Sequence, residues 1–262
     1  GFHRGRMICV AGRPAMGKTS IAADWLLTAA QSGVPALIFS LEVSREMMVL
    51  LLVSNITGIG TDKMLQGDMT DYQMKLIVDA HALLSDFPIF ILDNVYNVDE
   101  IVNKSRFYAK KFGVEIMMLD YIQLAKGSDK KNSRHQEVES IMQGIKKLTK
   151  KTDAYLCVIT LSQLNRGVES RADKRPMISD LKESGSIEEG CDIIFLIYRA
   201  EYYGIMQDED GNNLKGITEL IIGKNKWGSV GTILQKMVGR KFVDVGTETY
   251  EEQEVEKLNF EE

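Results

Sequence analysis

Gly12-Arg13-Pro14-Ala15-Met16-Gly17-Lys18-Thr19 stands between an apolar run, Met7-Ile8-Cys9-Val10-Ala11, and a segment whose apolar residues recur at helical spacing. The string fits G-x-x-x-x-G-K-[ST], and a strand before it with a helix after it is the setting in which such a string cradles phosphate. Each position has a chemical task. Glycines let consecutive backbone N–H groups turn inward, Lys18 reaches the outer phosphates, and the Thr19 hydroxyl meets Mg²⁺ at the positive end of the helix. Gly12, Arg13, Pro14, Ala15, Met16, Gly17, Lys18, Thr19 and Ser20 are the expected nucleotide-binding residues, with Thr19 also a metal contact.

Outward from this loop, short apolar or β-branched runs alternate with longer helical-period segments. Strands are expected over 7–11, 36–41, 89–92, 115–119, 155–161 and 193–198, and helices starting near Lys18, Ser44, Asp71, Val98 and His135. That alternation is the pattern of an α/β fold, a mainly parallel sheet flanked by helices. In the last helix Val138, Ile141, Met142, Ile145 and Leu148 form one stripe, read as a core face, with Lys146, Lys147, Lys150 and Lys151 towards the end where cations suit the dipole. After Gly211, three strand-like runs over 217–223, 232–238 and 241–245 have glycine turns and no helix between them, which predicts an antiparallel extension. Two stretches read as irregular, 127–133 and 165–190, and loops of that length are commonly functional or mobile.

A chain of 262 residues with 44% apolar and 26% charged residues has the composition of a globular protein and excludes disordered and collagen-like classes. The longest unbroken apolar run, 47–53, is far short of a membrane span, which needs roughly 18 residues, and residues 1–6 do not lead into a signal-peptide core. Cys9, Cys157 and Cys191 have no C-x-x-C spacing and read as buried reduced thiols of a cytoplasmic protein. The formal charge of −5 is carried by residues 251–262, where six glutamates face one lysine. The neutral remainder can bind nucleic acid only through local basic loops.

Mg²⁺ requires an acidic partner at the carboxyl end of a neighbouring strand. Asp93 after 88–92 and Asp120 after 116–119 both qualify; Asp120 is favoured because Asp93 precedes Asn94 and a helix start, where capping is natural. Glu42 closes the run Phe39-Ser40-Leu41. Expected one sheet position from the phosphate loop, it reads equally as a base for the attacking water or as a solvated glutamate ahead of the helix at Ser44.

Beyond the phosphate loop, Phe39-Ser40-Leu41-Glu42, Leu119-Asp120-Tyr121-Ile122-Gln123-Leu124, Leu161-Ser162-Gln163-Leu164-Asn165-Arg166, Asp180-Leu181-Lys182-Glu183-Ser184-Gly185-Ser186-Ile187-Glu188 and Gly223-Lys224-Asn225-Lys226 succeed one another in order. Together these blocks resemble the C-terminal domain of the replicative DnaB-like hexameric helicases over residues 1 to about 245. The resemblance implies a RecA-like P-loop NTPase using ATP and Mg²⁺. It implies a homo-hexameric ring that translocates on single-stranded DNA, unwinds forked duplex, and works with a helicase loader and a primase.

Carried over residue by residue, Lys18 and Thr19 would bind phosphate and Mg²⁺, Asp120 would be the carboxylate that meets the Mg²⁺ from its second coordination sphere and Glu42 the catalytic base. Gln163 would sense the γ-phosphate. Where the family commonly has lysine then arginine, this chain has Lys224 and Lys226, either of which would be the finger acting on a neighbour's nucleotide. Lys182, Glu183 and Gly185 would contact the DNA backbone, joined by Arg166. Arg171, Lys174 and Arg175 are interleaved with Glu169 and Asp173, so they read equally as further DNA contacts or as a mixed solvated loop. The expected organisation is a motor domain over 1–246 and an acidic tail over 247–262. The family's N-terminal domain is expected to be missing, as in an excised motor fragment, with weaker ring formation as the consequence. Two rivals share the loop chemistry: a RecA-like recombination ATPase that forms filaments, and an assembly ATPase that uses nucleotide as a switch.

Overall fold

The apolar runs become parallel strands because each is buried on both faces, which only a sheet sandwiched between helices can provide. The computed structural model describes residues 2–127, 133–181, 184–208, 210–238 and 241–245. Its first half contains β1 (Met7–Gly12), α1 (Lys18–Gln31), β2 (Ala36–Ser40), α2 (Arg45–Thr57), α3 (Thr61–Gln66), α4 (Asp71–Asp86), β3 (Ile89–Leu92) and α5 (Val98–Phe112). The second half contains β4 (Ile116–Asp120), α6 (Arg134–Lys147), β5 (Cys157–Gln163), α7 (Ser184–Gly190), β6 (Ile193–Tyr198), β7 (Ile217–Asn225), β8 (Gly231–Val238) and β9 (Lys241–Asp244). The strands form one sheet in the order β3-β2-β4-β5-β1-β6-β7-β8-β9. The members from β3 to β6 are parallel and β7 to β9 antiparallel, as expected.

Side chains alternate between two cores. Met7, Cys9, Leu37, Phe39, Met117, Leu119 and Val158 face α5 and α6, while Ile8, Val10, Ile38, Met118, Ile159 and Leu161 face α1 and α2. The stripe Val138, Ile141, Met142, Ile145 and Leu148 is buried throughout. All three cysteines are buried and free. Among the described residues no helix is long and apolar enough to cross a membrane.

Several expectations are corrected. Glu42 is not one sheet position from the phosphate loop: β4 and β5 lie between β2 and β1. The chain leaves β1 through α1, passes over those strands before they have been made, and fills the gap later. Asp93 does cap a helix, but its carboxylate accepts from Arg45 N at 2.9 Å, at the start of α2. The next helix after it in the chain, α5, is capped by Asn97. β5 starts at Cys157 instead of Tyr155, whose backbone is left-handed at φ 54°. Within the stretch read as irregular, 3₁₀ turns at Arg166–Ser170 and Ile178–Asp180 and the helix α7 are ordered structure. The acidic tail over 247–262 lies outside the described residues, as do Lys182 and Glu183.

Ile145 lies at the heart of the α6 face with no exposed surface. Ile145→Ala should lower the unfolding free energy by about 3 kcal/mol, measured by urea titration with an unchanged slope.

Candidate functional site

At the carboxyl edge of the parallel strands, β1 turns through the phosphate loop into α1. Gly17, the residue before α1, has φ 92°, and Ala15 has φ 61°. Glycine is required at 17 twice over, since a Cβ there would also lie 3.1 Å from Phe242 Cζ of β9. No side chain caps α1 and its first turn holds no acidic residue. Its leading N–H groups and the positive end of its dipole are thus left for an anion.

Lys18 is buried, and its ammonium donates to Arg13 O at 3.2 Å, folding back across the loop. Burial lowers its pKa from the ordinary lysine value, against the pull of the Asp120 and Glu42 carboxylates. A phosphate entering here would supply the missing countercharge. Thr19 Oγ1 donates to Asp120 Oδ2 at 2.8 Å, reaching over β5 to the end of β4. Asp120 has no exposed surface. Desolvation raises its pKa to about 6, with the Thr19 hydrogen bond and Lys18 opposing the rise and the Glu42 charge adding to it.

The other oxygen, Asp120 Oδ1, is buried without a hydrogen-bond partner. An orphaned carboxylate oxygen beside a threonine hydroxyl is a donor set that fits a hard cation such as Mg²⁺, which takes one or two protein oxygens and completes its shell with water and phosphate. Among the described residues no group of three or more His, Cys, Asp or Glu side chains could hold a metal alone. A cation at Asp120 would therefore be shared with the ligand.

A cavity of about 380 Å³ opens in front of the loop, lined by Gly17, Lys18, Thr19, Ser20, Glu42 and Gln163 among others. Glu42 reaches it from the turn after β2. Gln163 is paired in register with Gly12, beside the start of the loop. Gln123 holds this strand end in place: its Nε2 donates to Ser162 Oγ at 2.9 Å and its Oε1 accepts from Gln163 N at 3.4 Å. The structure thus brings together Lys18, Thr19, Glu42, Asp120 and Gln163.

It turns the Arg13 side chain away from the cavity, because its guanidinium binds Glu169 at 2.7 Å and Leu164 O at 2.9 Å. Arg166 and Gly185 are exposed away from the cavity. Lys224 and Lys226 sit at the opposite edge of the sheet: Lys224 pairs with Ile194 near the start of β6, about 17 Å along the strand from the cavity. Lys224 Nζ donates to Glu188 O, and Lys226 lies over the Trp227 ring.

Residues not anticipated complete the walls. Arg199 comes directly after β6, which adjoins β1, and its guanidinium lines the cavity while bound to Glu201. Its Nε is buried without a partner. Val43, Met47, Leu51 and Met237 give an apolar side suited to a flat base. The signal for Arg199 was present, an arginine at the carboxyl end of a buried strand; Met237 had none, since only the sheet order brings β8 there.

Comparison with known proteins decides the family. A family model for the DnaB-like helicase C terminal domain matches residues 1–242. The chain belongs to that family. The replicative DNA helicase DnaC of Bacillus subtilis (strain 168) is 38% identical over 250 residues, covering 94% of this chain and 54% of that protein. A probable plasmid replicative DNA helicase of Chlamydia psittaci is 34% identical over 231 residues, covering 87% and 49%. Two solved structures superpose with TM-scores of 0.84 at 32% identity, each over 94% of this chain. One is described as an ATPase domain, of which 86% is covered, and the other as a DnaB-like replicative helicase and its interactions with primase, of which 58% is covered. The chain spans about half the length of the curated relatives it matches.

In this DnaB-like domain the folded state holds the Asp120 proton more tightly than the unfolded chain, so stability falls as pH rises from about 4 to about 6. Asp120→Asn removes that cost. Without nucleotide or divalent cation, the variant should be more stable than the parent at pH 7.5, by an amount on the order of 2 kcal/mol. The advantage should vanish near pH 4, as followed by thermal melts across pH.

Proposed function

We propose that the chain is the ATP-hydrolysing motor of a replicative DNA helicase, active as a homo-hexameric ring on single-stranded DNA. The observation that carries the reading is the uncapped α1 N-terminus closed by Lys18, Thr19 and buried Asp120, in a chain of the DnaB-like family. The α1 amides and Lys18 bind and orient the phosphates of ATP, spending little on reorganisation because the loop is already left-handed at Ala15 and Gly17. Thr19 and Asp120 would hold Mg²⁺, which when bound would supply positive charge beside the phosphates. Glu42 orients a water and takes its proton, while Gln163 bonds the γ-phosphate and differs in partner once that group is gone.

Lys224 and Lys226, being remote from their own cavity, serve the nucleotide of the adjacent protomer, which makes the ring interface part of the site. Lys182, Glu183 and Gly185, with Arg166, grip the DNA backbone, where a cation and a free N–H hold phosphate without reading bases. A helicase loader and a primase are the proposed partners, in the cytoplasm of a bacterial cell or phage host; a solved relative is described with primase interactions.

Glu42→Gln should keep ATP affinity within about twofold while hydrolysis falls roughly a thousandfold, read by nucleotide titration and phosphate release. Near-normal turnover would remove Glu42 from the base role. Lys182→Ala should weaken single-strand binding about tenfold and abolish DNA-stimulated hydrolysis, with basal hydrolysis retained. Strand displacement on a forked duplex separates this reading from a filament-forming recombination ATPase, and hydrolysis indifferent to DNA would favour a nucleotide-switched assembly module.

A further inference from the structure

From Leu164 to Leu181 the chain is lashed down by its own hydrogen bonds. Asp180, nearly buried, accepts from Arg171 Nη1 at 2.8 Å, from Arg171 Nη2 and from Met177 N at 2.7 Å, while its backbone carbonyl accepts from Asn165 N at 2.7 Å. Leu181 bridges back to Leu164. The segment over 165–181 is therefore a closed strap rooted at the end of β5, and Arg171 is used inside it.

β7 touches both this strap and the helix α7 beyond it. Upstream, Arg175 makes a bidentate fork with Glu219 of β7, Nη1 to Oε1 at 2.8 Å and Nη2 to Oε2, with its guanidinium over Tyr198. Ile178 sits so close to β7 that a Cβ on Gly223 would meet its Cγ1 at 3.0 Å. Downstream, Lys224 of β7 donates to the Glu188 carbonyl of α7. One strand thus holds both flanks of residues 182–183, and the same strand runs on to Lys226.

We propose that the Arg175–Glu219 fork is a positioning pair that couples β7, which carries Lys224 and leads to Lys226, to the strap over 165–181, whose end at Leu181 precedes the proposed DNA contacts Lys182 and Glu183. This rests on the functional reading in which Lys224 and Lys226 meet a neighbour's nucleotide and Lys182 and Glu183 meet DNA. A displacement of the lysine end moves β7 along its length, and a two-point fork transmits translation and rotation where a single contact would pivot. The pair is partly exposed, 43% and 17% for the two side chains, and removing it leaves the strap's own Arg171–Asp180 closure in place.

The test is a double-mutant cycle on the full chain, reading basal hydrolysis, hydrolysis with a poly-dT oligonucleotide, oligonucleotide affinity and melting temperature. Arg175→Ala and Glu219→Ala should each lower DNA-stimulated turnover about fivefold, the double variant no further, and the exchange R175E/E219R should restore most of it. Basal hydrolysis should stay at its parental value in every variant, and the exchange variant should keep the parental melting temperature. Full stimulation in both single variants, additive losses in the double, or basal and stimulated turnover falling together with the melting temperature would overturn the pairing. So would higher DNA affinity in Glu219→Ala, since it would mean that freed Arg175 binds DNA directly. If DNA does not stimulate the unsubstituted chain, the functional reading falls and the inference with it; stimulation that ignores the fork removes the inference alone.

Discussion

A carboxylate taken wholly out of water sets the terms for the rest of the site. Asp120 is held by one threonine hydroxyl, with its second oxygen unpartnered, an arrangement that costs folding energy and invites a cation. To make that contact, Thr19 at the start of α1 reaches past β5, which separates β1 from β4 in the sheet. The left-handed turn at Gly17 aims the helix there. The same turn leaves the leading amides of α1 bare, so the metal position and the phosphate position arise from one backbone conformation. Lys18 answers the two carboxylates from within, and its own burial makes it receptive to a phosphate.

How far this was legible from the sequence depended on whether the signal was local. The parallel strands were readable because burial on both faces requires unbroken apolar runs. The starts of α2, α4, α5 and α6 were readable within a residue, and Ser44, Thr70, Asn97 and Ser133 cap them; α3, which has no side-chain cap, and the short α7 were not read. Sheet order is not a local property, which is why Glu42 was placed beside the phosphate loop when two strands intervene. For the same reason Met237 could not be foreseen in the cavity wall. The direction of the Arg13 side chain was likewise hidden: a long side chain goes where its countercharge is, and Glu169 lies close by. Asp93 was rightly read as a cap, yet the helix it serves is fixed by β3 lying next to β2, which no spacing reveals.

Charge behaves similarly. The segment over 165–181 contains several cations interleaved with acids, and a sequence shows only the mixture. In the fold, Arg171 and Arg175 are consumed by Asp180 and Glu219, so the basic character available to a nucleic acid is smaller than the count of arginines suggests. The family resemblance supplied roles for Lys182 and Gly185; it could not show that their approach is stiffened by internal ion pairs. Rigidity of this kind is a sum of paired partners, each remote in sequence, and becomes visible only when both ends are placed.

The close approach of Phe242 to Gly17 ties the antiparallel extension to the phosphate loop. β9 stands at the far end of the sheet order from the strands that carry the loop, so this contact spans almost the whole of that extension. Until β9 docks on α1, the loop's glycine has no wall behind it. Completion of the phosphate loop's surroundings and docking of the last antiparallel strand therefore belong to one closure of the fold.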